Sequence, residues 1–489
     1  MKLFTIGDSI SQGFMSGGAA KPQFCYNTLI ADVLDDKNYN YLQWEPEYHL
    51  KVDLELILRT LEKRFGSNIR FLEWVQALRC INEILDTAED YFERGEGKLG
   101  KPIDGVGDYF HSVAVEGMDV ADSWLVTPNL CKSVIDDYKN KDARSDNFFG
   151  TASDSFYRNA YRVLNPKGTD TESKFGSYSA LRWLDHHSEN EGIENLIIWL
   201  GANNALGTII NLDIKQSKGD GEPMKVSRVE RQENWNLWHP DDFRLEYQEM
   251  MGKVDQSMRK NNSKDWKVFV GNVPLITIAP VIRGLGERRE VDEEDGRKAL
   301  YFQYYSYFPI KSADLAKRTG RYLKFSEALY IDKVIKQFNK IIDDVINSMN
   351  TKHGSQRYYI VDICKSMREM AWKRNFGKPT YKLPSELEFL HPQPNAKYYH
   401  CTRSGKIESG GFFSLDGVHP SQLGQGLIAW EFLKIMKAAR PGQIADNLKW
   451  KAIAESDSFL NHPIRIMEEI YEHDKLIQVI SDAIRFLRD

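Results

Sequence analysis

Two stretches at opposite ends of the chain carry residue types that can do chemistry together. Gly7-Asp8-Ser9 follows directly on Lys2 to Ile6, an apolar run whose β-branched members read as a buried strand. Asn27 to Leu34 then carries apolar residues at helical spacing. Ser9 therefore sits where a strand ends and the chain turns toward a helix, the place where ligands bind in open α/β sheets. The second stretch is Asp416-Gly417-Val418-His419-Pro420. A carboxylate three residues before a histidine can orient the imidazole from within one turn. Its Nδ1–H then faces Asp416, and Nε2 is left to take a proton from a hydroxyl. Joined, the two stretches make a serine nucleophile with its base. Taken singly, each has a plainer reading, Ser9 as a turn or cap residue and Asp-x-x-His as a salt bridge or a metal-binding pair.

A hydrolytic serine also needs donors for a developing oxyanion. Glu116-Gly117 ends the strand-like run Tyr109 to Val115, and Gly201-Ala202-Asn203-Asn204 ends Asn195 to Leu200. A glycine N–H and an asparagine amide suit that task. The chain has no G-x-S-x-G elbow, which argues against an ordinary α/β-hydrolase. Cysteine and histidine spacing offers no metal set, and His186-His187 read as surface residues near a helix end.

These residues need a sheet to bring them together. Lys267 to Val270 and Arg357 to Ile363 complete five short apolar runs separated by helical or irregular sequence, the pattern of a parallel sheet covered on both faces. The surplus length lies in the connections. Leu54 to Phe65 and Trp74 to Ala88 carry two helical stripes, and Asp146 to Tyr178 is polar and dotted with aromatics. Glu287 to Lys298 is a mixed charge run that reads as a solvated loop. Tyr301 to Phe308 reads either as the small core of an insert or as a pocket wall. Helices are expected through Ala180 to Leu184, Asp242 to Met258 and Leu329 to Val345. Ile466 to Leu487 lies near heptad spacing, either packed on its own domain or joining two copies of the chain.

Composition narrows the class. The 489 residues are 42% hydrophobic and 28% charged, as in ordinary globular proteins. A net charge of −5 leaves no footprint for nucleic acid. No run approaches membrane-spanning length, and no secretory signal precedes the first strand. The five cysteines, Cys25, Cys80, Cys131, Cys364 and Cys401, are scattered, which fits a reducing, cytoplasmic setting.

In order along the chain, Gly7-Asp8-Ser9, Gly117, Gly201-x-Asn203 and Asp416-x-x-His419 resemble the four blocks of the SGNH/GDSL hydrolase family. Phe24 to Leu34, Phe269 to Pro280 and Ser414 to Phe432 look like the family's first helix, fourth strand and last block. The likeness covers about half of the chain and none of the inserts. Asn204 stands where the family usually has aspartate, and Glu116 is an unusual neighbour for the glycine. The resemblance implies an α/β fold, a three-layer α/β/α sandwich around a flavodoxin-like parallel five-stranded sheet. Here it would carry large helical or irregular insertions (39–104, 128–178 and 282–322) within a hydrolase domain at 1–440, and a helical extension at 441–489. It implies Ser9 as nucleophile, His419 as base and acid, and Asp416 as its orienter. The oxyanion hole would be the N–H groups of Ser9 and Gly117 and the Asn203 amide, with no cofactor and no metal. The expected activity is hydrolysis of a small-molecule or lipid ester through an acyl-serine. Carbohydrate O-deacetylation, or a binding protein that kept the fold, are the alternatives.

Overall fold

The computed structural model describes residues 1–44, 50, 52–95, 109–141, 154–168, 172–294 and 296–472. Five strands form one parallel sheet: β1 (Leu3–Gly7), β2 (Ser112–Ala114), β3 (Asn195–Trp199), β4 (Lys267–Gly271) and β5 (Tyr358–Val361). Their order across the sheet is β5-β4-β3-β1-β2. Every residue of β1 and β3 is buried, which is why both read as continuous apolar runs and not as alternating ones. Gly7 pairs with Ala114 on one side and with Trp199 on the other, so the carboxyl ends of β1, β2 and β3 stop at one level.

Helices cover both faces. The short α1 (Ser9–Gln12) leaves β1 directly, followed by α2 (Tyr26–Val33), α3 (Ala180–Asn190), α4 (Pro240–Arg259), α5 (Phe325–His353) and α6 (Gln422–Ala439). The Trp199 ring meets Tyr26 of α2 at 5.6 Å and Phe432 of α6 at 6.0 Å. Phe4, of opposite side-chain parity in the sheet, meets His187 of α3 at 4.8 Å. Phe243 of α4 stacks on Phe338 of α5 with centroids 4.0 Å apart.

The insertions depart from expectation. Glu287 to Lys298 is not a solvated loop, because Ile282–Asp292 and Lys298–Tyr307 form a long antiparallel hairpin. Glu287 to Glu290 are exposed, but the Glu293 side chain is buried and paired with Lys336 and Arg368, and strand formation comes from pairing with Ala299 to Tyr307, which a local charge pattern cannot report. The aromatic run is core. Tyr301, Tyr305 and Tyr307 are buried, and their hydroxyls are used internally. Tyr301 donates to Asp332 (2.7 Å), Tyr307 donates to the Ile210 carbonyl (2.5 Å), and Tyr305 accepts from Arg374 (3.0 Å). The polar, aromatic-dotted region contains a helix, Ser155–Leu164, with all its residues buried. Within the tail, Ile464, Ile466 and Met467 join the main core. The rest of the heptad-like stripe, from residue 473, lies outside the described residues.

Arg440, just past α6, closes the amino edge of the sheet. Its guanidinium donates to Asn195 Oδ1 (2.8 Å), the Glu194 carbonyl (2.7 Å), the Asp265 carbonyl (2.6 Å) and Asp265 Oδ2 (2.9 Å). It therefore ties the end of α6 to the starts of β3 and β4. Truncation strands buried acceptors, so Arg440→Ala is expected to destabilise the fold by about 2–3 kcal/mol. Arg440→Lys should recover less than half of that, because an ammonium cannot reach four acceptors in a fork. Urea unfolding midpoints measure both, and an unchanged midpoint in the alanine variant would refute the role.

Candidate active site

Ser9 is the first residue of α1. Asp8 caps that helix, with Oδ1 accepting from the Ile10 N–H at 3.1 Å. The turn after β2 begins two residues before Gly117, and Asn203 opens the helix after β3. With the three strand ends level, Ser9, Gly117 and Asn203 all leave the carboxyl edge of the sheet within a few residues of it.

The last block is docked onto the first. Ser414 Oγ accepts from the Ser16 N–H (2.8 Å), and Asp416 Oδ2 accepts from the Gly17 N–H (2.7 Å). Gln425 of α6 donates to the Ile10 carbonyl (3.1 Å) and accepts from the Tyr26 N–H (3.1 Å). Within the block, Asp416 Oδ1 accepts from the backbone of Val418 and His419, both at 2.8 Å, and Oδ2 faces His419 Nδ1 at 2.8 Å. Gly417 has φ +68, and a Cβ there would lie 2.6 Å from the Val281 nitrogen, so this turn needs glycine. The base of the long hairpin thus abuts the histidine loop. On the other side, Leu54 donates its N–H to the Ser16 carbonyl, which seats the first helical insert beside the same edge.

Burial alone would push the Asp416 carboxyl up. The positive His419 ring, its Nδ1–H and two backbone N–H groups instead hold it below the usual carboxylate value. Burial alone would pull His419 down, but the charge and hydrogen bond of Asp416, backed by Glu116 and Asp8, leave it above the ordinary imidazole value. An ionised Asp416 accepts, so Nδ1 keeps its proton and Nε2 is the free base in the neutral ring. Ser9 is 5% exposed and His419 3%.

The turn after β2 is held at nearly every polar group. The Glu116 N–H donates to Gln12 Oε1 (2.8 Å), the Met118 N–H donates to the Val115 carbonyl (3.1 Å), and the Met118 carbonyl accepts from the Asn203 amide (2.9 Å). The Gly117 carbonyl accepts from Arg228 Nη2 (2.9 Å). Gln12 itself is locked in a reciprocal amide pair with Asn159 (2.7 and 2.8 Å). Among the described residues, the N–H groups of Ser9 and Gly117 have no acceptor and the Ser9 hydroxyl has no partner. The expected site residues therefore share one edge, with two unengaged backbone donors.

Asn204 is held by two contacts of its own. Its Oδ1 accepts from the Val120 N–H (3.2 Å) and its amide donates to Glu246 Oε2 (3.0 Å). Burial holds the Glu246 carboxyl well above the ordinary range. An aspartate at 204 would set a second carboxylate against it. Gln12, Asn159, Arg228 and Glu246 are invisible as site residues in the sequence, because each acts through a partner distant in the chain.

One group among the described residues has metal-ligand types in reach of one another: His111, His187 and Glu191, with ligand atoms within 4.8 Å. It lies at the amino edge, away from Ser9. The Asn40 N–H donates to His111 Nδ1 (3.0 Å), so the neutral ring carries its proton on Nε2 and faces Glu191 Oε2 at 3.2 Å. Glu191 also accepts from the Tyr109 hydroxyl. His111 Nδ1 is engaged by the Asn40 N–H, whereas neither ring nitrogen of His187 has a hydrogen-bond partner among the described residues. His187, expected at the surface, is 1% exposed and packed among Phe4, Tyr109 and Trp183. The signal was present in the helical stripe Trp183, Leu184, His187, which faces the sheet.

No protein-family model and no curated protein matches this chain.

Burial raises the Asp8 carboxyl to about 7, opposed by the Ile10 N–H and the nearby His419. The folded protein thus keeps this proton to a higher pH than the unfolded chain, whose Asp8 titrates near 3.8. Asp8 therefore subtracts stability as pH rises across that window, and the deficit persists above it. Asp8→Asn keeps the cap acceptor and removes the deficit. Its Tm gain over wild type is expected to be small near pH 4 and largest near pH 8; equal gains at both would contradict the assignment.

Proposed function

We propose that the chain is a serine ester hydrolase of the SGNH/GDSL type on a flavodoxin-like α/β/α scaffold, acting in the cytoplasm. The observation that carries this reading is the level ending of β1, β2 and β3 beneath Ser9, Gly117 and Asn203, with Asp416–His419 docked onto the loop that follows Ser9. The strand order, 2-1-3-4-5 in chain terms, agrees with that scaffold. All five cysteines are free, and no helix of the described residues is long and apolar enough to cross a membrane. Tyr301, Tyr305 and Tyr307 are buried and offer no open ring face to a sugar, while Phe302 and Tyr304 are half-buried.

In this reading the Ser9 hydroxyl attacks the ester carbonyl carbon while His419 Nε2 takes its proton. Asp416 stabilises the imidazolium that forms. The carbonyl oxygen becomes an oxyanion held by the Ser9 and Gly117 N–H groups and by the Asn203 amide hydrogen not bonded to Met118. His419 returns the proton to the leaving alcohol, and water, deprotonated by the same ring, releases the acid from Ser9.

A fluorophosphonate should label wild type at Ser9, and Ser9→Ala should neither label nor hydrolyse p-nitrophenyl esters. Asn203→Ala is expected to lose on the order of 10²–10³ in kcat with KM little changed. Since His419 must be neutral to act, kcat/KM should rise with pH through a midpoint above the ordinary imidazole value, and Glu116→Gln should move that midpoint down. Wild-type turnover by Ser9→Ala would sink the assignment.

A further inference from the structure

Gly117 would donate through the N–H of the peptide that precedes it, and that donor is only as well aimed as the turn that carries it. Gly117 has φ +80, and a Cβ there would lie 3.3 Å from Arg228 Nη2 and 3.5 Å from Phe156 Cδ2. The turn is therefore pressed against a guanidinium and an aromatic ring. Arg228 begins the helix Arg228–Asn234, more than a hundred residues further on, and its side chain is 8% exposed.

We infer that Arg228 is a positioning residue for the oxyanion donor of Gly117; the inference rests on the hydrolase reading above. Three contacts fix the guanidinium. Nη2 donates to the Gly117 carbonyl at 2.9 Å, Nη1 pairs with buried Asp122, and the guanidinium carbon stands 3.5 Å from the Phe156 ring centroid. Asp122 is held in turn by Arg231 and by the Asp119 N–H (3.1 Å). The positive charge of Arg228 is thus matched by a carboxylate, and what reaches the turn is direction. With Gln12 holding the Glu116 N–H on one side and Arg228 holding the Gly117 carbonyl on the other, the unengaged Gly117 N–H between them has little freedom to rotate. A planar fork stacked on a ring can serve Asp122 and Gly117 at once, whereas an ammonium cannot keep that geometry.

The test compares Arg228→Lys, Arg228→Ala and Phe156→Leu with wild type on p-nitrophenyl esters, with the thermal transition checked for each. A misaimed donor should cost less than a deleted one. Both arginine variants are expected to lose about 10–100-fold in kcat with KM within about twofold, and Phe156→Leu about 3–10-fold. The midpoint of the acid limb of kcat/KM should not move, because His419 is untouched. Guanidinium ion in the millimolar range should restore Arg228→Ala in part and leave Ser9→Ala inert. A folded Arg228→Lys with wild-type kcat, a loss confined to KM, or no guanidinium response would overturn the inference while the hydrolase reading stood. If Arg228→Ala does not fold, a wild-type kcat in folded Phe156→Leu or Arg228→Lys overturns it equally. Wild type inert to both fluorophosphonate and esters would overturn the hydrolase reading and this inference together.

Discussion

A fully buried, ionised Asp416 is the constraint on which the site depends. A carboxylate out of water costs several kcal/mol unless its lone pairs are met. Here Gly17, Val418, His419 and the His419 ring supply donors from both ends of the chain. The same four contacts orient the imidazole, hold its tautomer and staple the last loop to the first. Structure and chemistry are not separable at this residue. Any change that leaves one oxygen unmet also frees the ring.

Around that staple the sheet provides level and the inserts provide enclosure. Gly7, Ala114 and Trp199 share one register, so three connections that differ greatly in length start from one line. The amides that finish the positioning are side chains: Gln12 with Asn159, Asn203 on the Met118 carbonyl, and Asn204 between Val120 and Glu246. Amides suit this task because each offers donor and acceptor without a charge to be desolvated. Beside them, Arg228 and Arg231 face Asp119 and Asp122 in a buried ion-pair group.

The opposite edge of the sheet is built for cohesion. Arg440 gathers the starts of β3 and β4, and Glu191 gathers Tyr109 and His111 while His187 fills the space beneath. Many polar groups there meet one another, although the His187 ring nitrogens and the Asn195 amide nitrogen have no hydrogen-bond partner among the described residues; at the carboxyl edge the Ser9 hydroxyl and two backbone donors are likewise unengaged.

The sequence by itself determined the five strand runs, the main helices and the residues placed at three strand ends, because these are properties of contiguous chain: apolar period, run length and turn residues. It also paired Asp416 with His419, since three residues suffice for one turn. Only the tertiary structure decided the rest. Glu287 to Lys298 became a hairpin through pairing with a partner strand, and His187 turned inward because its helical stripe met β1. Arg228 reached Gly117, and Gln12 met Asn159, across more than a hundred residues. The Arg228 and Gln12 contacts leave no local trace. A polar side chain in a helix or insert reads the same in sequence whether it faces water or a buried carbonyl, and only chain closure settles which.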